Sequence, residues 1–276
     1  MTAPKKRTSR RSPKRKSGKQ KKSFRSHWVS FLFLGGLLAA AVYVGVLYYF
    51  FVSPLSFRWR ALYGEPDFPT GYDIMGIDVS HHQDRIDWER LRNAKVNGCP
   101  IRFVVIKATE GENHFDDHFN DNFHHAKESG LIRGAYHYYK PNKSADSQSE
   151  FFLRQVHLLE GDLPPILDIE ERGDKPLEDF RADVLRWLDA VERACGTPPI
   201  IYTGYRFKLD FLSGDEFDRY PLWIAHYYKK ELEYKGNWLM WQYTDCGKVD
   251  GIRGFVDLNI FNGEMKDLVK KTLPAS

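Results

Sequence analysis

Apolar and polar positions alternate in a regular order from residue 74 onward. Short runs rich in Val, Ile and aromatic residues, typical of buried strands, are separated by stretches with apolar residues at helical spacing. We predict strands at 74–79, 102–107, 132–138, 166–170 and 200–203, and helices at 87–96, 116–129, 145–159, 177–194 and 206–212. Three further strands, at 222–225, 239–243 and 256–259, follow with only loops between them.

This order of elements favours one fold class. Five strand–helix units followed by three bare strands give eight strands, which indicates an α/β barrel of the TIM type rather than an open doubly wound sheet. Active sites of such barrels lie at the carboxyl ends of the strands. Acids and aromatic residues collect there, as expected of a carbohydrate site, because flat sugar faces stack on rings while carboxyl groups attack the glycosidic bond.

The stretch Pro-Pro-Ile-Leu-Asp-Ile-Glu at 164–170 holds the strongest candidate chemistry. Side chains alternate across a strand, so Asp168 and Glu170 point to the same side. Two neighbouring carboxyl groups in a buried strand repel each other and lose solvation, and both effects raise the pKa of at least one of them. The pair is therefore a candidate acid and base. An isolated Asp-x-Glu is also consistent with a strand end whose acids reach water.

The N-terminal part differs from the rest in charge. Twelve of the 41 basic residues lie in the first 26 positions, which hold no acid, so residues 27–276 carry 29 basic and 37 acidic side chains, a net of −8. Residues 28–52 then form a run of 25 positions without a charge. As a helix this run spans about 37 Å, enough to cross a hydrocarbon core of about 30 Å.

These features predict four segments. They are a basic cytoplasmic tail (1–26), a transmembrane signal anchor (27–53), a linker (54–72) and a barrel domain (73–276). By the positive-inside rule the barrel lies outside the cytoplasm. A nucleic-acid partner is not expected, because the tail stays cytoplasmic and the domain is acidic.

Cysteines and histidines do not indicate a cofactor. Cys99, Cys195 and Cys246 lack the spacing of a zinc or redox motif, although the outer compartment permits one disulfide between them. Residues His114, His118, Asp121 and His125 share one face of a predicted helix and could bind zinc. Because a phenylalanine stripe beside them packs the helix onto the barrel, we interpret this face as solvated and predict no metal and no cofactor.

Several motifs in order resemble glycoside hydrolase family 25, the lysozymes of the Chalaropsis type. They are GIDVSHHQ (76–83), FVVIKATEG (103–111), GLIRGAYHYY (130–139), LPPILDIE (163–170), PIIYTGY (199–205), LWIAHY (222–227) and WQYTDCGKVDGIRGFVDLNIFNG (241–263). The resemblance covers residues 74–263. One departure is His82, which stands where the family pattern leads us to expect a tryptophan.

The resemblance implies a flattened (β/α)5β3 barrel that cleaves the β-1,4 bond between N-acetylmuramic acid and N-acetylglucosamine in peptidoglycan. It implies Glu170 as the acid/base, with Asp168, Asp78 and Asp257 as the other catalytic acids. Asp168 would attack the anomeric carbon or, as we favour, hold the acetamide group of the substrate while that group attacks. The candidate substrate-binding residues are Tyr136, Tyr138, Tyr202, Trp223, His226, Trp241 and Gln242.

Two alternatives remain open at this point. A chitinase-like glycosidase also places Asp-x-Glu on a barrel strand, although the flanking GIDVSH and VDLN motifs oppose that interpretation. A non-catalytic wall-binding anchor would need the fold without the acids, yet all four acids are present. We expect a monomer whose partners are peptidoglycan strands and, through residues 28–52, the membrane.

Overall fold

The computed structural model describes residues 22–51 and 68–274, and within the first segment it describes side chains at 31–46. The chain divides into two units, residues 1–57 and 58–276. The first contains an α-helix, Lys22–Phe51. Among the described residues, no helix has both the length and the apolar character that crossing a membrane requires. Residues 1–21 and 52–67 lie outside the described part, so the tail, the span and the linker stay predictions.

The described part of the second unit, residues 68–274, contains ten strands. Their bounds are β1 Met75–Val79, β2 Lys95–Val96, β3 Cys99–Glu110, β4 His114–Phe115, β5 Ile132–Tyr138, β6 Ile166–Asp168, β7 Ile200–Gly204, β8 Leu222–Ala225, β9 Met240–Gly247 and β10 Val256–Phe261. The α-helices of this unit are Trp88–Leu91, Phe119–Glu128, Ala145–Gln155, Leu177–Cys195, Tyr205–Phe211, Asp215–Asp218 and Met265–Lys270. A 3-10 turn at His81–Gln83 follows β1.

Eight of the strands close into a barrel. Parallel pairing runs from β1 through β3, β5, β6, β7 and β8 to β9. The last strand, β10, lies antiparallel between β9 and β1 and completes the ring. The short strands β2 and β4 pair only with β3. The predicted eight-stranded barrel, with helices between its first strands and none between its last three, is confirmed.

The structure corrects three details of the prediction. The helix expected at 87–96 is the single turn Trp88–Leu91, because Asn97 and Gly98 adopt positive φ and fold residues 95–100 into a β-hairpin. The strand expected at 166–170 ends at Asp168. Two helices, Asp215–Asp218 and Met265–Lys270, were not predicted because neither contains enough turns to show a helical period.

Side chains of the barrel strands alternate between an inner and an outer core. The inner core fills the end of the barrel away from the carboxyl ends, with Phe103, Val105, Ile166, Ile200, Met240 and Phe261 among its buried residues. Gly76 on β1 faces this interior, where a Cβ atom would lie 2.3 Å from the ring of Phe103. The inward position next along β1 is Asp78, so the interior changes from apolar to acidic toward the carboxyl ends.

The outer core packs the helices onto the barrel. Helix Leu177–Cys195 buries a stripe at helical spacing, Phe180, Val184, Trp187, Leu188 and Val191. The Trp187 ring stacks on the imidazole of His137, with centroids 5.5 Å apart. His137 is fully buried, hydrogen bonded to Thr109 Oγ1 (2.8 Å) and Gln148 Oε1 (3.2 Å), and burial lowers its pKa to about 4. Cys99, Cys195 and Cys246 are free thiols.

Candidate active site

Four acids, which we call the acidic rim, face the open end of the barrel: Asp78, Asp168, Glu170 and Asp257. Asp78 on β1 lies directly opposite Asp257 on β10 in the antiparallel register. Asp168 ends β6, and Glu170 follows it by two residues. Backbone hydrogen bonds hold this segment, because the N–H of Tyr139 donates to the carbonyl of Asp168 and the N–H of Ile169 donates to the carbonyl of Tyr202, both at 2.9 Å.

The four carboxyl groups differ in exposure. Asp78 and Asp168 are 8% and 6% exposed, Asp257 is half-buried and Glu170 is exposed. The arrangement therefore places one acid where it can reach a bound molecule and a second acid behind it. Chemically, the exposed group can exchange a proton with a ligand, while the buried groups act through hydrogen bonds and charge.

Asp78 is held by two amides. Gln242 Nε2 and Asn259 Nδ2 each donate to Asp78 Oδ2 at 2.7 Å. Burial raises the pKa of Asp78 to about 6, and the hydrogen bonds from Asn259, Gln242 and Asp257 oppose that rise. Because two donors point at one oxygen, the site is built for the ionised form of Asp78, which is the major form above pH 6.

The two amides are themselves fixed by aromatic residues. Gln242 Oε1 accepts hydrogen bonds from the hydroxyls of Tyr202 (2.7 Å) and Tyr227 (2.6 Å). Asn259 Oδ1 accepts one from Trp223 Nε1 (2.8 Å). Both amide oxygens are occupied by donors, so both amide nitrogens are directed toward Asp78. A network of five side chains, four of them on barrel strands, therefore converges on one carboxylate.

Asp168 and Glu170 form a coupled pair. Burial, the charge of Glu170 and the charge of Asp78 all raise the pKa of Asp168 well above its usual range. The protein atoms around Glu170 also raise its pKa although its side chain is exposed, while a hydrogen bond with Asp168 opposes the rise. The two groups therefore share a proton to a higher pH than free carboxyl groups would. Among the described residues, buried Asp168 Oδ1 has no hydrogen-bond partner.

A cation borders this pair on the β3 side. Lys107 faces the interior, is 8% exposed and forms an ion pair with Glu110, with Nζ and Oε2 2.7 Å apart. Its Nζ lies 5.1 Å from the centre of the Tyr138 ring. The positive charge of Lys107 lowers the pKa of Asp168 and of Glu170, against the larger effect of burial.

The predicted substrate-binding residues occupy different layers. Tyr136 and Tyr138 are half-buried near the acidic rim, where burial and then the nearest acids raise their pKa values. Tyr202 and Trp223 are almost wholly buried, with ring centroids 4.5 Å apart, and Gln242 lies in the network described above.

Two of these residues lie toward the outer side of the barrel wall. Trp241 is fully buried in the outer core, and its Nε1 donates to the carbonyl of His226 at 2.8 Å. The ring of His226 stacks on Tyr205, with centroids 4.4 Å apart. Trp241 and His226 therefore support the wall of the site, and the Trp241 ring offers no exposed surface in this structure.

Three residues of the site were not selected from the sequence: Lys107, Tyr227 and Asn259. Two of them could have been found from the sequence, because side chains alternate between the two faces of a strand. Asn259 lies on the same strand face as Asp257, and Lys107 lies on the same strand face as Phe103. Tyr227 lies just after β8, outside any strand, and alternation does not extend to it.

The histidine-rich helix face does not form the group considered from the sequence. Within the described part of the chain, one group of three possible metal ligands lies within 4.8 Å, namely His124, His125 and Glu128, all exposed. His124 Nε2 and His125 Nδ1 each lie near a Glu128 oxygen, at 3.2 and 3.0 Å. This group lies on the outer helix and has no part in the acidic rim.

Comparisons with known proteins identify the family of the chain. Residues 77–252 match the family model described as glycosyl hydrolases family 25. The chain is 46% identical over 201 residues to the uncharacterised protein YegX of Escherichia coli strain K12, covering 72% of this chain and 74% of that protein. It is 32% identical over 211 residues to lysozyme M1 of Streptomyces globisporus, covering 71% and 70%. A solved family 25 glycosyl hydrolase from Bacillus anthracis superposes with a TM-score of 0.67 at 26% identity, covering 75% of this chain and 97% of that one.

Proposed function

The chain belongs to glycosyl hydrolase family 25, and we propose that it cleaves the β-1,4 bond between N-acetylmuramic acid and N-acetylglucosamine in peptidoglycan. It is a glycoside hydrolase of the lysozyme type. The proposed cleavage of this bond rests mainly on the coupled pair of acids. Glu170 is exposed, and Asp168 is buried with one oxygen that lacks a hydrogen-bond partner among the described residues.

Glu170 is the general acid of this proposal. A general acid must reach the leaving oxygen and must hold a proton near neutral pH. Glu170 is exposed at the open end of the barrel, and its pKa is raised by the surrounding protein and by the charge of Asp78. Glu170 therefore donates its proton to the glycosidic oxygen as the bond from that oxygen to the anomeric carbon breaks.

Asp168 orients the nucleophile. The acetamide N–H of the sugar donates a hydrogen bond to Asp168 Oδ1, and the acetamide oxygen attacks the anomeric carbon from the side opposite the leaving oxygen. Water then attacks the same carbon, Glu170 takes the proton of that water, and the acetamide is restored. Direct attack by Asp168 is the alternative route.

Asp78 and Asp257 assist from the opposite wall. Asp78, ionised and held by two amides, raises the pKa of both Asp168 and Glu170, so it keeps the shared proton on the pair. Asp257 is half-buried opposite Asp78, where it can accept hydrogen bonds from sugar hydroxyls. Tyr136 and Tyr138, half-buried beside the pair, provide the ring surfaces for the sugar faces.

A digest of purified peptidoglycan by the full-length chain, with mass spectrometry of the fragments, tests the proposal. We expect new reducing N-acetylmuramic acid ends, a loss of at least about 1,000-fold in Glu170→Gln, and wild-type cleavage by the control Glu171→Gln, which removes an exposed neighbouring carboxylate. Reducing N-acetylglucosamine ends would refute the proposed bond. Binding without cleavage by the wild type would refute the enzyme and favour a wall-binding anchor.

We also propose that residues 28–52 anchor the chain in a membrane with the barrel on the outer side. The support is the charge-free run and the twelve basic residues in positions 1–26. If this is right, the full-length chain sediments with membranes after a carbonate wash, and external protease cleaves the barrel of intact spheroplasts. Recovery of the full-length chain in the soluble fraction would contradict the anchor.

A further inference from the structure

The end of helix Phe119–Glu128 carries three side chains that can ligate a metal, His124, His125 and Glu128, which we call the His–Glu cluster. His124 Nε2 lies 3.2 Å from Glu128 Oε1, and His125 Nδ1 lies 3.0 Å from Glu128 Oε2. One ligand atom from each of the three residues lies within 4.8 Å of the other two. Two imidazoles from successive positions of the helix therefore converge on one carboxylate.

The spacing of these atoms matches the coordination sphere of a zinc ion. Zinc binds imidazole nitrogen at about 2.0–2.1 Å and carboxylate oxygen at about 2.0–2.2 Å. Two ligand atoms on a tetrahedral ion are therefore about 3.3 Å apart, close to the two separations of 3.2 and 3.0 Å in the His–Glu cluster. The remaining approach between the two imidazoles requires only rotation of exposed side chains.

The helix provides a fixed backbone for the His–Glu cluster. Phe119 and Phe123 are buried in the outer core with stacked rings, whose centroids lie 4.9 Å apart, and Ala126 is fully buried. Arg133 Nη1 donates to the carbonyl of Phe123 at 2.6 Å. Because these contacts hold the backbone, metal binding orders three side chains and no loop, so the entropic cost is confined to side-chain rotamers.

The electrostatics of the helix end also favour a cation. The helix dipole places partial negative charge at the carboxyl end, where the His–Glu cluster lies, one turn or less before the C-cap Ser129. The helix carries two acids, Asp121 and Glu128, against one lysine, Lys127, so its net charge with neutral imidazoles is −1. Asp121 is exposed one turn before the two histidines, at a spacing that places it on the same side of the helix.

Ion pairs between the histidines and Glu128 are the alternative interpretation. They require protonated imidazoles, whereas a metal requires neutral ones. The side chains of His124, His125 and Glu128 are 68%, 51% and 59% exposed, and ion pairs exposed to this extent contribute little to stability. The same exposure lets a metal ion reach all three ligands and lets water complete its coordination, so binding of the ion separates the two interpretations.

We propose that the His–Glu cluster binds a zinc ion through His124, His125 and Glu128. Imidazole and carboxylate ligands together suit zinc, whereas magnesium and calcium take oxygen ligands. Water, or the carboxylate of Asp121, fills the fourth position. The bound ion cross-links the last turn of the helix and has no part in the chemistry of the acidic rim, so the inference does not depend on the proposed function. It replaces the expectation, drawn from the sequence, of a solvated face without metal.

Direct binding of zinc is the first test. The full-length chain, prepared without a histidine tag and stripped of metal by a chelator, is titrated calorimetrically with zinc chloride at neutral pH. We expect one ion per chain and a dissociation constant raised at least about tenfold in His124→Gln and in Glu128→Gln, because each variant removes one ligand. The control His157→Gln removes an exposed histidine between helix Ala145–Gln155 and β6 and should bind like the wild type. No saturable binding by the wild type, or equal binding by all variants, would overturn the proposal.

Thermal unfolding is the second test. A ligand that binds only the folded chain raises its melting temperature, so zinc should raise that of the wild type and of His157→Gln. The rise should be smaller or absent in His124→Gln and Glu128→Gln, and magnesium should produce none. In the presence of a chelator all four proteins should melt together, since the substituted side chains are exposed. A zinc-induced rise of equal size in every variant would place the ion elsewhere and refute the assignment to the His–Glu cluster.

Discussion

Replacing Gln242 by methionine tests how the active site sets its protonation state. The Gln242 side chain is 2% exposed, accepts hydrogen bonds from Tyr202 and Tyr227, and donates one to Asp78. Methionine has nearly the same length and fills the space without polar atoms. The variant therefore removes one of the two amide donors that stabilise the Asp78 carboxylate, and Asn259 remains as the other.

The magnitude follows from the structure. A hydrogen bond to a charged group contributes about 1.5–3 kcal/mol, and about 1.4 kcal/mol corresponds to one pKa unit. Losing the bond from Gln242 should raise the pKa of Asp78 from about 6 to about 7 or 8. The two tyrosine hydroxyls also lose their acceptor, so the free energy of unfolding should fall by about 1–3 kcal/mol.

The change in Asp78 should alter activity in one pH range only. At pH 7 Asp78 is mostly ionised in the wild type, and its charge raises the pKa of Asp168 and Glu170. In Gln242→Met at least about half of Asp78 is neutral at that pH, so the catalytic pair loses its proton at a lower pH. The basic limb of the pH profile therefore moves toward acid, whereas below pH 5 Asp78 is protonated in both proteins.

The assay is kcat/KM on soluble peptidoglycan fragments between pH 4 and 9. The variant should lose more activity at pH 7 than at pH 5. Tyr227→Phe is the matched control, because it removes a donor to Gln242 Oε1 and leaves the bond from Gln242 to Asp78 in place. A loss of equal size at every pH, or an equal displacement of the basic limb in Tyr227→Phe, would refute the reasoning.

Two further predictions concern stability. The Gly76→Ala variant should be unfolded or melt at a much lower temperature than the wild type, because the added Cβ would lie 2.3 Å from the ring of Phe103 and overpacking costs about 1–3 kcal/mol or more. The control Gly204→Ala adds a Cβ in open space and should leave the melting temperature unchanged. Equal melting temperatures for the two variants would contradict this account. The second prediction concerns His137, which is buried and whose pKa of about 4 in the folded chain lies below its value of about 6.5 in the unfolded chain. The unfolded chain therefore binds more protons than the folded chain between these pH values. As the pH falls from 6.5 to 4, the free energy of unfolding of the wild type should decrease by about 3 kcal/mol. Denaturant titrations of His137→Gln across this range should show a flatter dependence on pH, and an unchanged slope would contradict the assignment to His137.

The fold was predictable from the sequence where a segment was long enough to show the periodic apolar pattern of a strand or a helix. All eight barrel strands were located, since each carries alternating or continuous apolar positions. The hairpin at 95–100 was missed because its first strand, residues 95–96, was included in the helix predicted at 87–96, although Asn97 and Gly98, a strong turn signal, follow directly. The helix Met265–Lys270 was missed because its six residues bury only Leu268.

The site was less predictable because it depends on distances across the barrel. Alternation places Asp78 and Asn259 on inward faces, but only the register of β1 against β10 brings them within hydrogen-bond distance. Trp241 illustrates the opposite case. It lies near a strand end among polar residues, yet it precedes the inward Gln242 by one position and therefore points to the outer core.

The antiparallel strand that closes the barrel has a consequence for protein synthesis. Asp78 and its amide partner Asn259 are 181 residues apart, and the hydrogen bond from Gln242 spans 164 residues. A nascent chain can form β6 and the segment that carries Asp168 and Glu170 long before β10 has left the ribosome, but it lacks the amide donors that orient and stabilise the Asp78 carboxylate. The hydrolase thus remains catalytically immature until its last strand is made, and the appearance of activity during translation marks completion of the barrel.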